Sequence, residues 1–122
     1  MHAPRMTLSI RSYGARESAH THEFHQVVLP VLGAMELRVG DTAGVINARS
    51  GVLMVGGAPH AFRALGENRF VVFDVPRAAF LPDGIVARAS AAPFFALDEP
   101  LEHLARYVSC EVASGALGDV AA

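Results

Sequence analysis

The sequence predicts an all-β barrel or sandwich followed by one C-terminal helix. About eight short apolar or alternating runs, separated by glycine-rich turns, predict the β part. After residue 98, apolar residues recur at spacings of 3, 4, 7 and 11, which is typical of a helix with one buried face. A chain of 122 residues is expected to form one domain with one sizeable core.

The predicted strands follow one another between residues 6 and 75. They are 6–10, 11–13, 22–32, 34–39, 45–48, 52–55, 61–64 and 69–75. The turns between them lie at Gly33 and at 40–44, 49–51, 56–59 and 66–68, where Gly, Pro, Asn, Asp and Ser favour chain reversal. The following segment contains Pro76, Pro82 and Pro93 and is predicted to be a loop-rich connection.

The C-terminal helix is predicted to begin at Asp98, a favourable N-cap, with Pro100 tolerated in the first turn. Its apolar face is formed by Leu101, Leu104, Ala105, Val108 and Val112. The opposite face is formed by Glu102, His103, Arg106 and Cys110. The helix is predicted to end at Ser114 and Gly115, and its apolar face to pack on the barrel or on a partner helix.

Composition excludes several classes of protein. The net charge is −2 and the ten arginines are scattered, which argues against a nucleic-acid-binding surface. The single cysteine, Cys110, permits no internal disulfide, so a reducing cytoplasm is expected. Neither a signal peptide nor a membrane-spanning run is apparent. Without lysine there is no phosphate-binding P-loop, and no Gly-x-Ser-x-Gly nucleophile motif occurs.

Three of the six histidines lie between residues 20 and 25, and His60 follows a glycine-rich turn. Side chains alternate across a strand, so an extended segment 20–26 separates these residues into two sets. Phe24 shares a face with His20, His22 and Gln26, and these last three form the predicted inward set. His25 is expected to point outward or to support the site from behind. Neutral imidazoles with an oxygen donor suit a divalent transition metal, although they can equally line a barrel as hydrogen-bonded polar groups.

Two short motifs resemble those of cupins. The pattern His20-x-His22-x-x-x-Gln26, with Gly33 further on, resembles the first cupin motif, and Gly57-x-x-His60 resembles the core of the second. The resemblance covers about residues 10–75 and implies a double-stranded β-helix, or jelly-roll barrel. It also implies a metal site formed by His20, His22, Gln26 and His60 for a divalent transition metal such as zinc, nickel or iron. Gln26 stands where cupins usually place glutamate, which lowers the expected metal affinity and removes a potential general base.

A wider resemblance covers nearly the whole chain. Segments 22–30, 33–37, 59–62, 67–76 and 94–98 resemble the N-terminal ligand-sensing cupin of AraC-type transcription regulators. This resemblance implies a small-molecule effector in the barrel, a homodimer often formed through the C-terminal helix, and DNA contact only through a downstream domain that this chain does not include. Residues 1–92 would be the cupin barrel with its following loop, and 93–122 a helical segment of the same domain.

Two functions follow from these resemblances. The first is a sensor domain without enzymatic activity, with Phe24 and Phe62 as ligand-binding residues among phenylalanines that otherwise form the core. The second is a small metal-dependent cupin enzyme, for example a dioxygenase or isomerase, with the histidines and Gln26 as its metal centre. Asp74, a polar residue in an apolar strand, is expected to be structural in either case.

Overall fold

The computed structural model describes residues 5–77 and 82–113, which form nine strands and two helices. The strands are β1 Thr7–Arg11, β2 Ser18–His20, β3 His25–Leu32, β4 Met35–Val39, β5 Thr42–Ile46, β6 Ser50–Met54, β7 His60–Ala64, β8 Arg69–Val75 and β9 Phe94–Ala96. The helices are α1 Asp83–Ala91 and α2 Glu99–Ala113.

The strands form two antiparallel sheets. One has the order β1-β8-β3-β6-β9 and the other the order β2-β7-β4-β5. Several neighbours, such as β1 with β8 and β3 with β6, are distant in sequence, as in a jelly roll and unlike a simple meander. The predicted all-β jelly-roll barrel with a C-terminal helix is therefore confirmed.

The barrel interior is filled by apolar side chains that alternate with exposed ones. In β4, Met35, Leu37 and Val39 are buried, while Glu36 and Arg38 are exposed. The remaining members of this inner core are Val28, Ile46, Val52, Met54, Phe70 and Val72. These side chains fill the centre of the barrel with apolar groups.

Helix α2 covers the outer face of the five-stranded sheet, as its apolar spacing predicted. The residues that pack there are Leu101, Ala105, Val108 and Val112, against Leu8, Leu29 and Val71. The predicted N-cap is also confirmed, since the Asp98 carboxylate accepts a hydrogen bond from the Leu101 amide at 2.9 Å. Leu104 was assigned to this face wrongly, because it is 54% exposed. The predicted helix end at Ser114 and Gly115 lies outside the described residues.

The loop-rich prediction for the segment after Pro76 is wrong, since this segment contains α1 and β9. Helix α1 is rich in alanine, a strong helix former, and begins directly after Pro82. Strand β9 has only three residues and forms by pairing with β6 at the sheet edge. Strand β2 was not predicted for the same reason, since it depends on pairing with β7. Strand β5 begins at Thr42, inside the predicted turn, and β3 begins at His25 instead of residue 22.

Candidate ligand-binding site

Three of the predicted site residues meet at one end of the barrel. Antiparallel pairing of β2 with β7 places His20 opposite His60, and His22 follows two residues after His20. The ring centroids lie 5.0 Å apart for His22 and His60, 5.6 Å for His20 and His22, and 6.1 Å for His20 and His60. We call these three residues the histidine cluster. Residues 21–24 lie outside any strand, so strand alternation alone does not bring them together.

Aromatic rings border the histidine cluster on two sides. Phe24 stacks on His22 with a centroid distance of 4.6 Å and an interplanar angle of 13°. Phe62 stacks on His20 at 5.6 Å and receives the edge of Tyr13 at 5.0 Å. Both predicted ligand-binding phenylalanines therefore contact the cluster, whereas Tyr13 was missed. Stacking restrains the planes of the imidazoles, which pre-organises their nitrogen atoms.

Burial lowers the pKa of two members of the histidine cluster, His60 and His22. Desolvation lowers the pKa of His60, and the neighbouring His22 and His20 lower it further, while the Ala58 backbone carbonyl partly opposes the change. The pKa of His22 is lowered first by burial and then by His20. His60 is only 5% exposed, and its Nδ1 atom has no hydrogen-bond partner among the described residues. The cluster thus combines one buried imidazole, His60, with the half-buried His22 and the exposed His20.

Gln26 belongs to a second polar group, the carboxylate network. Its Nε2 atom donates a hydrogen bond to Asp74 Oδ1 at 2.7 Å, and Arg11 Nη2 donates to Asp74 Oδ2 at 3.1 Å. The β3–β8 register places Gln26 directly opposite Asp74. A glutamate at position 26 would set two carboxylates against each other, so glutamine fits because its amide donates. Asp74 is a satisfied structural carboxylate, as expected from the sequence.

The carboxylate network acts electrostatically on the histidine cluster. Asp74 raises the pKa of His22 and Arg11 lowers it, both more weakly than burial does. Tyr13 connects the two groups, since its ring contacts Phe62 and its hydroxyl interacts with Arg11. Burial raises the pKa of Tyr13, so its phenol is protonated at neutral pH and can donate a hydrogen bond. This end of the barrel therefore combines imidazole nitrogens, a phenol and a paired carboxylate.

His25 does not face the site but holds the turn before His60 in place by a hydrogen bond. It lies on the opposite face of β3 from Gln26 and is only 6% exposed. Its Nδ1 atom accepts a hydrogen bond from the Gly56 amide at 2.9 Å, and the Gly57 amide donates to the His22 carbonyl at 2.7 Å. These bonds tie the turn before His60 to the segment that carries His22. Of the two alternatives, an outward or a supporting residue, the structure shows the second.

The predicted metal ligands do not have the arrangement of a metal site. Within residues 5–77 and 82–113, no three His, Cys, Asp or Glu side chains are grouped so that they could hold an ion. A tetrahedral site requires its donor atoms to converge at about 2.0–2.2 Å from one point. The amide nitrogen of Gln26 is hydrogen-bonded to Asp74. A metal at His20, His22, Gln26 and His60 thus stays a prediction without geometric support.

The family model for AraC-binding-like domains matches residues 2–121. The chain belongs to this family. The match includes both the barrel and the C-terminal segment, as the wider resemblance implied. No curated protein matches the chain. In the described part of this AraC-binding-like domain, neither helix is long and apolar enough to cross a membrane.

Solved structures show the cupin fold. A conserved protein of unknown function from Streptococcus pyogenes is 18% identical, with 64% of this chain and 70% of that chain covered and a TM-score of 0.56. A cupin superfamily protein from Desulfitobacterium hafniense is 13% identical over 62% and 72% of the two chains, with a TM-score of 0.54. The oxalate decarboxylase of Bacillus subtilis, which has Mn(II) centres, is 14% identical over 68% of this chain and 28% of its own, with a TM-score of 0.51. At these identities the likeness is one of fold alone.

Proposed function

We propose that this AraC-binding-like domain senses a small-molecule effector for a cytoplasmic transcription regulator. Binding would be passed through dimerisation to a DNA-binding domain outside this chain. The observation that carries the proposal is the histidine cluster itself, with three imidazoles bordered by Phe24 and Phe62 beside the carboxylate network. Family membership supports the regulatory role.

The chemistry of the cluster suits reversible binding. Neutral imidazoles donate and accept hydrogen bonds, and the aromatic faces of Phe24 and Phe62 cover apolar parts of a ligand. His20 is exposed and His22 is half-buried, so a ligand at this end of the barrel can reach both imidazoles. Because the inner core fills the centre of the barrel, the effector is expected to bind at the end that carries the histidines.

The outer face of α2 supports dimerisation. Leu104 and Tyr107 are 54% and 59% exposed and lie one helical turn apart. Two large apolar side chains on the solvent side of a helix are typical of an interaction surface when they are adjacent. The inner face of the same helix packs on the barrel sheet, so a ligand that alters the barrel could alter the dimer through α2.

A thermal-shift screen of small metabolites tests the proposal, since a ligand that binds only the native state must stabilise it. At a hundredfold excess over Kd the gain is about 2.7 kcal/mol, or about 10 °C for a domain of this length. The variants His60→Gln and Phe62→Leu are expected to weaken the response, whereas His103→Gln, at an exposed histidine of α2, is the matched control. If no compound stabilises the wild type, or if the cluster variants respond as it does, sensing at this site is contradicted.

The enzyme alternative, a metal-dependent dioxygenase or isomerase, lacks a specific observation in its favour. It requires a metal centre at the histidine cluster and Gln26, and the described residues do not form one. The likeness to oxalate decarboxylase concerns the fold and 28% of that protein's length. Sensing requires only the hydrogen-bonding and aromatic groups that the site presents.

A further inference from the structure

A separate cavity of about 450 Å³ adjoins the histidine cluster. It lies between the start of β1, the segment before β3 and the end of β8. Arg5, Glu23, Phe24, Asp74, Pro76 and Arg77 line it. Its volume falls within the range of about 300–1,000 Å³ that is usual for small-molecule sites. None of the sequence motifs pointed to Arg5 or Arg77.

The cavity carries uncompensated positive charge. Among the residues that the structure describes, neither Arg5 nor Arg77 forms a salt bridge. The carboxylate of Asp74 is already paired with Arg11, so its charge is largely neutralised. Glu23 is the other acidic group at the wall. The guanidinium groups of Arg5 and Arg77 against the carboxylate of Glu23 leave one net positive charge, which favours a monoanionic ligand over a dianionic one.

Phe24 forms the wall between this cavity and the histidine cluster. Its ring stacks on His22 at 4.6 Å, and its side chain also lines the cavity. Pro76 adds a second apolar surface at the end of β8. A flat ligand in the cavity can therefore lie against Phe24, with its charged end near the arginines.

We infer that the effector is a planar monocarboxylate, such as an aromatic acid. Arg5 and Arg77 hold its carboxylate, and Phe24 stacks on its ring. Guanidinium groups match carboxylates geometrically and keep their charge at any physiological pH. The inference rests on the proposed sensing function, because it names the ligand class for the same end of the barrel.

Isothermal titration of the full chain with benzoate tests the inference, with benzamide as a neutral compound of the same shape. Benzoate is expected to bind at least about tenfold more tightly than benzamide, as charge-assisted hydrogen bonds predict. Arg77→Gln and Arg5→Gln should each weaken benzoate binding by about tenfold. Glu23→Gln should strengthen it by removing a like charge. Arg69→Gln, at an exposed arginine at the other end of β8, should leave it unchanged.

Phe24→Leu separates stacking from charge. It retains an apolar side chain and removes the ring, so it should weaken benzoate and benzamide by a similar factor of a few. Circular dichroism of each variant confirms that the barrel is intact. A failure of one variant to fold leaves the comparison of benzoate with benzamide on the wild type as an independent test.

Three results would overturn the carboxylate assignment. They are equal affinity for benzoate and benzamide, unchanged benzoate binding in both arginine variants, and binding only of neutral compounds whose affinity depends on His60. The last result would leave effector sensing intact. Conversely, arginine-dependent benzoate binding with no change in the monomer–dimer equilibrium would uphold the site and contradict its role in signalling through dimerisation.

Discussion

Replacing Gly56 with alanine is expected to destabilise the domain by about 3 kcal/mol. A Cβ atom at this position would collide with the carbonyl oxygen of Glu23 and lie 2.9 Å from its carbonyl carbon. Both atoms belong to the backbone, so no side-chain rotation relieves the contact. The segment before β3 and the turn before His60 would have to separate.

The magnitude follows from what this separation breaks. Overpacking against a fixed backbone costs about 1–3 kcal/mol. The displaced turn would also lose the hydrogen bonds from the Gly56 amide to His25 and from the Gly57 amide to the His22 carbonyl, each worth about 1 kcal/mol. For a domain of this length the melting temperature should fall by about 10 °C. Because this turn carries His60, ligand binding at the histidine cluster should weaken as well.

Urea denaturation followed by circular dichroism measures the change in unfolding free energy. Gly84→Ala is the matched control, since a Cβ there has no neighbour within 4 Å and Gly84 lies in helix α1. Alanine should stabilise that helix by up to about 1 kcal/mol. A Gly56→Ala variant within about 0.5 kcal/mol of the wild type would refute the close approach between the turn and Glu23.

The remaining predictions concern protonation, the α2 helix and metal content. Burial lowers the pKa of His60 and of two other histidines below the ordinary 6.5, so the unfolded chain binds more protons below that pH. The unfolding free energy should therefore fall on acidification from about pH 7 to about pH 5.5. This fall should be less steep in His60→Gln than in the control His103→Gln. A rise in the unfolding free energy would contradict the desolvation of these histidines. Ser109→Ala should stabilise the domain by about 1 kcal/mol in urea denaturation, because the Ser109 hydroxyl is buried and has no hydrogen-bond partner among the described residues. A loss of stability would show that the hydroxyl makes a hydrogen bond. Leu104→Glu should shift the protein towards the monomer in light scattering, and an unchanged mass would remove α2 from the interface. Elemental analysis of protein purified without an affinity tag should find less than about a tenth of an equivalent of any transition metal, and a stoichiometric content would require the imidazoles to reorient.

Several features were predictable because they depend on local sequence. The alternation in Met35–Val39 predicted a half-buried strand, which the structure confirms. Gly33 was predicted to lie in a turn, and its φ angle of 80° is one that glycine adopts without strain. The spacing of Leu101, Ala105 and Val108 predicted the buried face of α2, and Asp98 its start. In each case the relevant partners lie within a few residues along the chain.

Other features depended on partners that are distant in sequence. Strands β2 and β9, with three residues each, were missed because their stability comes from pairing with β7 and β6. Tyr13 and Arg11 gave no motif, since their role follows from contacts with Phe62 and Asp74. The cavity beside Phe24 joins residues from positions 5 to 77, and their proximity is a property of the closed barrel.

The sequence by itself determined an all-β chain with a C-terminal helix, while the resemblance to cupins implied the jelly-roll barrel and a site that joins His20, His22 and His60. Periodicity and turn residues are sufficient for the strands and the helix, because each reflects backbone geometry over a short range. Only the tertiary structure decided what Gln26 does. The register of β3 against β8 places Gln26 opposite Asp74, so its amide completes a hydrogen-bonded network with Asp74 and Arg11. The register of a strand is set by packing across the whole sheet, so it cannot be deduced from short-range sequence patterns.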